Sequence, residues 1–203
     1  MARPGIPKAA SFIGAGLMMF SMVSAAPVPL PASALIDDRS RGDRLTPLGT
    51  EWRLVTDGVM GGVSQGDLGV ENHAGRDCLR MTGQVSTANN GGFVQIALNL
   101  APSGSVDASA YEGIRLTVSG NGERYNLHLR TDDLDRPWQS YRHEFEATPE
   151  WREIKVPFSV LQPHRTQAPF RPEVLQRLGL VAIGRPFRAS LCVADVRFYD
   201  SMQ

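Results

Sequence analysis

Lysine is nearly absent from this chain: among 21 basic residues only Lys8 and Lys155 are lysines, and the arginines are scattered along the sequence. A nucleic-acid binder gathers its cations into a patch or stripe, so no nucleic-acid partner is expected. Metal and nucleotide motifs are lacking as well. His73, His128, His143 and His164 stand far apart, with no His-x-x-x-His spacing and no cysteine motif beside them. Neither Gly-x-x-x-x-Gly-Lys nor Gly-x-Gly-x-x-Gly occurs, so no cofactor is expected. No nucleophile elbow is read either, which leaves a hydrolase with an unrecognised site as the weakest alternative. Helical periodicity is scarce. Strands do not alternate with helices, which excludes a doubly wound α/β sheet.

Cysteine occurs twice. Cys78 and Cys192 both fall in expected strands, where they form either a disulfide, if the strands are neighbours, or two small buried apolar residues.

At the N-terminus, Arg3 and Lys8 precede an uncharged stretch from Ala9 to Ala26, and Val23-Ser24-Ala25 presents small residues to a signal peptidase. Residues 1–25 therefore read as a signal peptide, and the mature protein as periplasmic or secreted in a bacterial envelope. The alternative is an uncleaved membrane anchor, the one route by which membrane contact is expected. Without Arg3 and Lys8, 19 basic residues face 21 acidic ones, a near-neutral balance. Residues 26–50 hold Pro27, Pro29, Pro31 and Pro47 and the charged run Asp37 to Arg44, the composition of a flexible arm.

From residue 51 to 203 the signals are those of strands. Cys78 to Val85, Phe93 to Leu98, Gly113 to Val118 and Tyr125 to Arg130 alternate apolar and polar residues. Trp52 to Val55, Trp138 to Phe145, Trp151 to Val156, Leu178 to Ile183 and Ser190 to Tyr199 complete the set. Ile114, Leu116 and Val118 should face a core while Arg115 and Thr117 face away. The one helical signal is Pro172 to Leu178, with Gly179 beyond it. An all-β sandwich or barrel with at most one or two short helices follows.

Two glycine-rich stretches punctuate these strands: Asp57-Gly58-Val59-Met60-Gly61-Gly62 with Ser64, and Asn89-Asn90-Gly91-Gly92-Phe93. With Trp52, Tyr125-x-Leu127-x-Leu129-Arg130, Tyr141-x-x-x-Phe145, Trp151-x-x-x-x-Val156-Pro157-Phe158 and Asp195-x-x-x-Tyr199, they make the chain resemble the complex I intermediate-associated protein family from Trp52 to Asp200. That resemblance implies a galactose-binding-domain-like jelly-roll β-sandwich, no catalytic residues, and a role as an assembly factor for NADH:ubiquinone oxidoreductase. A protein partner, from a respiratory complex or the envelope, is the expectation it carries. An export signal sets this chain apart from that setting.

Residue by residue, the glycine motifs read as structural turns, with Phe93 in the core and Asp57 closing its own turn on nearby backbone N–H groups. Asp57 and the run Asp132, Asp133 and Asp135 are the weak candidates for a cation; no metal is expected. The alternative to a protein partner is a carbohydrate. Trp138, Tyr141, Tyr125, Arg130, Asn126 and Gln139 fall on neighbouring strands and their connecting loop, where a ring could stack on a sugar while polar groups take its hydroxyls. Trp52, Trp151 and Phe145 read as core.

Overall fold

The computed structural model describes Met1, residues 27–29 and residues 34–200. The expected signal peptide, and its cleavage after Ala25, lie outside the described residues. Among these residues no helix is long and apolar enough to cross a membrane.

Fourteen strands are numbered in chain order. They are β1 (Val28–Pro29), β2 (Leu35–Asp37), β3 (Arg53–Thr56), β4 (Gln65–His73), β5 (Arg76–Val85), β6 (Phe93–Asn99) and β7 (Val106–Asp107). The chain continues through β8 (Gly113–Gly120), β9 (Glu123–Thr131), β10 (Ser140–Ala147), β11 (Arg152–Pro157), β12 (Gln162–His164), β13 (Leu175–Ile183) and β14 (Phe187–Tyr199). They form two sheets packed face to face as a jelly-roll β-sandwich. The eight-stranded sheet runs β1-β7-β13-β9-β10-β12, with β6 also on β13 and β3 on β6; the six-stranded sheet runs β11-β8-β14-β5-β4, with β2 on β14.

Alternation places the core between the sheets. Val94, Ile96 and Leu98 of β6, Leu178, Leu180 and Ala182 of β13, and Tyr125, Leu127 and Leu129 of β9 meet Ile114, Leu116 and Val118 of β8 and Leu191, Val196 and Phe198 of β14. Phe145 and Trp52 are buried, as their patterns require. Trp151 departs from its expected core position: it is half-buried on the rim, its indole N–H donating to the His73 carbonyl at 3.2 Å with Arg76 over its ring. Between β8 and β9 the chain reverses through Asn121 and Gly122, and the φ of +78° at Gly122 is one glycine adopts without strain.

Two expectations are corrected. The arm is not loose from residue 34 onward: β2 pairs with β14, Ile36 is fully buried, and the buried Asp37 carboxylate accepts from Trp52 Nε1 at 2.7 Å and pairs with buried Arg39. Pro172 to Leu178 is not a helix. Only Pro172–Val174 makes a 3-10 turn, because Leu175 already joins β13 opposite Thr131 and Val106. Four 3-10 turns of three or four residues are the helical segments among the described residues, in keeping with the all-β class. Strand β4 lacks an alternating sequence because only Leu68 in it is buried; it is an edge strand open to solvent.

Candidate functional site

Two regions at opposite ends of the eight-stranded sheet draw together the residues of interest. The first is built on Asp57. A 3-10 turn at Asp57–Met60 follows β3, opened by Thr56, whose hydroxyl accepts from Gly58 N, and closed by Gly61 in the left-handed region at φ +86°. The Asp57 side chain is fully buried at the centre. It accepts from Ser64 N at 2.9 Å, Ser64 Oγ at 2.5 Å, Gly92 N at 2.6 Å and Phe93 N at 3.3 Å. One carboxylate thus joins both glycine stretches, which lie about thirty residues apart in sequence. A Cβ on Gly62 or on Gly91 would collide with that carboxylate, so these glycines are demanded by close approach. Burial alone would raise the Asp57 pKa, but the bonds from Ser64, Gly92 and Phe93 outweigh it and hold the group below its ordinary value.

Every atom around the Asp57 oxygens in these bonds is a donor, which is the environment of a carboxylate rather than of a cation. Ser64 Oγ in turn accepts from Ser86 N at 2.9 Å. Contrary to the sequence reading, Gly62-Val63-Ser64-Gln65-Gly66 does carry the letters of a nucleophile elbow. The structure withholds its chemistry: Ser64 is buried, its partners are Asp57 and Ser86, and it enters strand β4 rather than a helix. Phe93 is half-buried rather than core, since it points away from Val94 and Ile96 on the sheet's other face. Asn89 and Asn90 take left-handed conformations in an exposed turn. What this locked loop presents to solvent is apolar: Val59 is 75% exposed, Met60 59% and Val63 48%.

The second region is the opposite end of the same sheet, on the face turned away from the core. Register sets Arg53, Ala97, Gly179, His128 and Arg142 in one row across β3, β6, β13, β9 and β10. Asn99, Arg177 and Arg130 follow in the next row. A cleft of about 470 Å³ opens here between the segment from Leu45 to Glu51 and the strands bearing Arg53, Ala97 and Arg177. His128 is buried with Nε2 unpartnered, and desolvation, helped by Arg142 and His164, lowers its pKa to about 3.

The six sugar-binding candidates separate. Trp138 is 48% exposed on the loop between β9 and β10. Arg130 organises that loop, donating to the carbonyls of Arg136, Gln139 and Leu134 at 2.6, 2.5 and 3.0 Å. Desolvation and nearby Arg177 lower its pKa. Gln139 is also a loop brace, accepting from Arg136 N and donating to the Arg165 carbonyl. Asn126 is half-buried on the open face between Val181 and Glu144. Tyr125 and Tyr141 are corrected: both are core, because alternation turns them inward. The Tyr141 hydroxyl donates to the carbonyl of Pro169 at 2.9 Å, and burial pushes the Tyr125 phenol up to about 12. Asp132, Asp133 and Asp135 do not converge on one point; they meet Gln176, Arg171 and Arg136 respectively. Cys78 and Cys192 are joined, on adjacent strands β5 and β14 with Cα atoms 5.5 Å apart. Glu71 stands beside them, 4.0 Å from Cys192 Sγ.

The sequence pattern of a family described as Complex I intermediate-associated protein 30 (CIA30) matches residues 46–193. The chain belongs to that family. The buried Asp57 and the two glycine stretches it ties together are thus part of a CIA30 domain. Among curated proteins, none matches the chain in sequence. Solved structures similar to it include the family 11 carbohydrate-binding module from Clostridium thermocellum in complex with a β-1,3-1,4-mixed-linked tetrasaccharide, at TM-score 0.61 and 10% identity over 82% of this chain and 94% of that one. The family 30 carbohydrate-binding module of a cellulosomal cellulase of Clostridium thermocellum is similar at TM-score 0.52 and 17% identity, over 67% and 83%. At such identities the likeness is one of fold.

Proposed function

We propose that this CIA30 domain is a non-enzymatic assembly or scaffolding factor that docks a protein partner through the loop bearing Val59, Met60 and Val63. One observation carries the reading. Three exposed apolar side chains sit together on a loop whose backbone is locked by a buried carboxylate, so the fold spends a fully satisfied polar network on holding them in water. A surface ordered before contact loses little conformational entropy on binding, which favours recognition by a partner. The family's name supports a respiratory NADH:ubiquinone oxidoreductase intermediate as that partner. With a cleaved leader, the encounter takes place in the cell envelope.

The experiment is affinity capture from the native envelope by the wild type and by a Val59→Ser, Met60→Ser, Val63→Ser triple variant. Recovery of respiratory-complex subunits by the wild type, at least about tenfold reduced in the variant, is the expected result. Equal recovery by both would sink it. Carbohydrate binding is the second reading, favoured by the half-exposed Trp138 ring on its braced loop. A glycan array blank for wild type counts against that reading; saturable binding lost in Trp138→Ala establishes it.

A further inference from the structure

The cleft at the far end of the sheet has a volume inside the range of small-ligand sites. Its floor is low. Ala97 on β6 brings only a methyl group to it, as does Ala101, while Gly179, the next position in the row, is covered by the Gln95 side chain. Arg53 flanks Ala97 on β3, and Arg177 stands two residues before Gly179 on the same face. Neither is neutralised: Arg177 Nε donates to Asn99 Oδ1 at 2.9 Å, and the Arg53 side chain makes no hydrogen bond or ion pair among the described residues. Arg130, beside Arg177, spends its guanidinium on carbonyls rather than on a carboxylate. The lining holds two arginines against one carboxylate, that of Glu51.

We infer that this cleft binds a carboxylated carbohydrate, a glycan bearing uronate groups, with Arg53 and Arg177 taking the carboxylate and Asn99 and Glu51 taking ring hydroxyls. A guanidinium fork matches a carboxylate in two parallel hydrogen bonds. Glu51 opposes ligands with closely spaced charges, such as sulfated chains, and suits one anionic group set among several hydroxyls. The half-exposed Trp138 ring stands on the loop beyond Arg130, at the same end of the sheet, where a further sugar ring of the chain can stack. This site is separate from the apolar loop beyond the other end of β3, so protein docking and glycan binding stand or fall independently.

The test is calorimetric titration of the protein with tetragalacturonate, cellotetraose, a glutamate-rich peptide and inorganic sulfate. Saturable binding of tetragalacturonate is expected, at least about tenfold tighter than cellotetraose and weakened by salt. Arg53→Ala and Arg177→Ala each lower that affinity by about tenfold or more, while Val59→Ser leaves it unchanged. Arg177→Lys, which keeps the charge and loses the fork, gives a smaller loss and serves where the alanine variant does not fold. Absent binding, equal affinity for cellotetraose, or arginine variants that bind like wild type would each overturn the inference. So would tighter binding of the peptide or of sulfate, which would assign the cleft to another anion.

Discussion

At one end of the eight-stranded sheet, the loop from Thr56 to Ser64 is specified by buried contacts: one carboxylate, four donors, and two glycines that admit no Cβ. At the other end, Arg53, Asn99 and Arg177 are exposed, carry one side-chain hydrogen bond between them, and owe their meeting to strand register. The first region is expensive to alter and presents apolar surface. The second has few contacts to lose and presents charge. On the proposed reading, stability and recognition are therefore carried by different residues at the first end, and Arg53, Asn99 and Arg177 at the second contribute little to stability.

The sharpest way to break this contrast is Asp57→Ala. It leaves the N–H groups of Ser64 and Gly92 buried without an acceptor, and a loss of about 3 kcal/mol is expected in denaturant unfolding. A loss within about 0.5 kcal/mol would remove the lock from the argument. Next is Gly62→Ala, where the new methyl collides with the Asp57 carboxylate; overpacking of this kind costs about 1–3 kcal/mol. The same substitution at Gly69, whose Cβ would meet open space, is the control.

The Asp57 end is also sensitive to acid. The folded Asp57 pKa lies below its ordinary 3.8, so its contribution is fully present above that value and is lost as pH falls through the folded one. Wild-type stability should therefore decline below about pH 4, and Asp57→Asn should flatten that part of the stability curve. Smallest of all is the expected effect of Arg53→Ala or Arg177→Ala, which should leave the melting midpoint within the span of ordinary surface changes, about 0.5 kcal/mol. A large destabilisation by either would show that the cleft end is structural after all.

How much of this could be read from the chain depends on where each constraint lies. Strand β8 was legible because Ile114, Leu116 and Val118 alternate with residues that face away, and the family was legible because its glycine blocks recur in order. Strand β4 was not, since an edge strand with one buried residue needs no apolar pattern. Tyr125 and Tyr141 looked like ligand groups because a phenol in a strand suits either face, and only packing turned them inward. The arm looked loose because prolines and charges dominate it, yet buried Asp37 pairs with Arg39 and takes the Trp52 indole.

By itself, then, the sequence determined the all-β class, the family, and the presence of tight glycine turns, because these depend on periods of two and on conformations local to a few residues. Tertiary structure decided that one aspartate serves both glycine stretches, that Cys78 lies against Cys192, and that Arg53 and Arg177 share a cleft. These depend on which distant strands become neighbours and in what register. Such pairings are set by burial summed over the whole core, and no single stretch of the chain carries that sum.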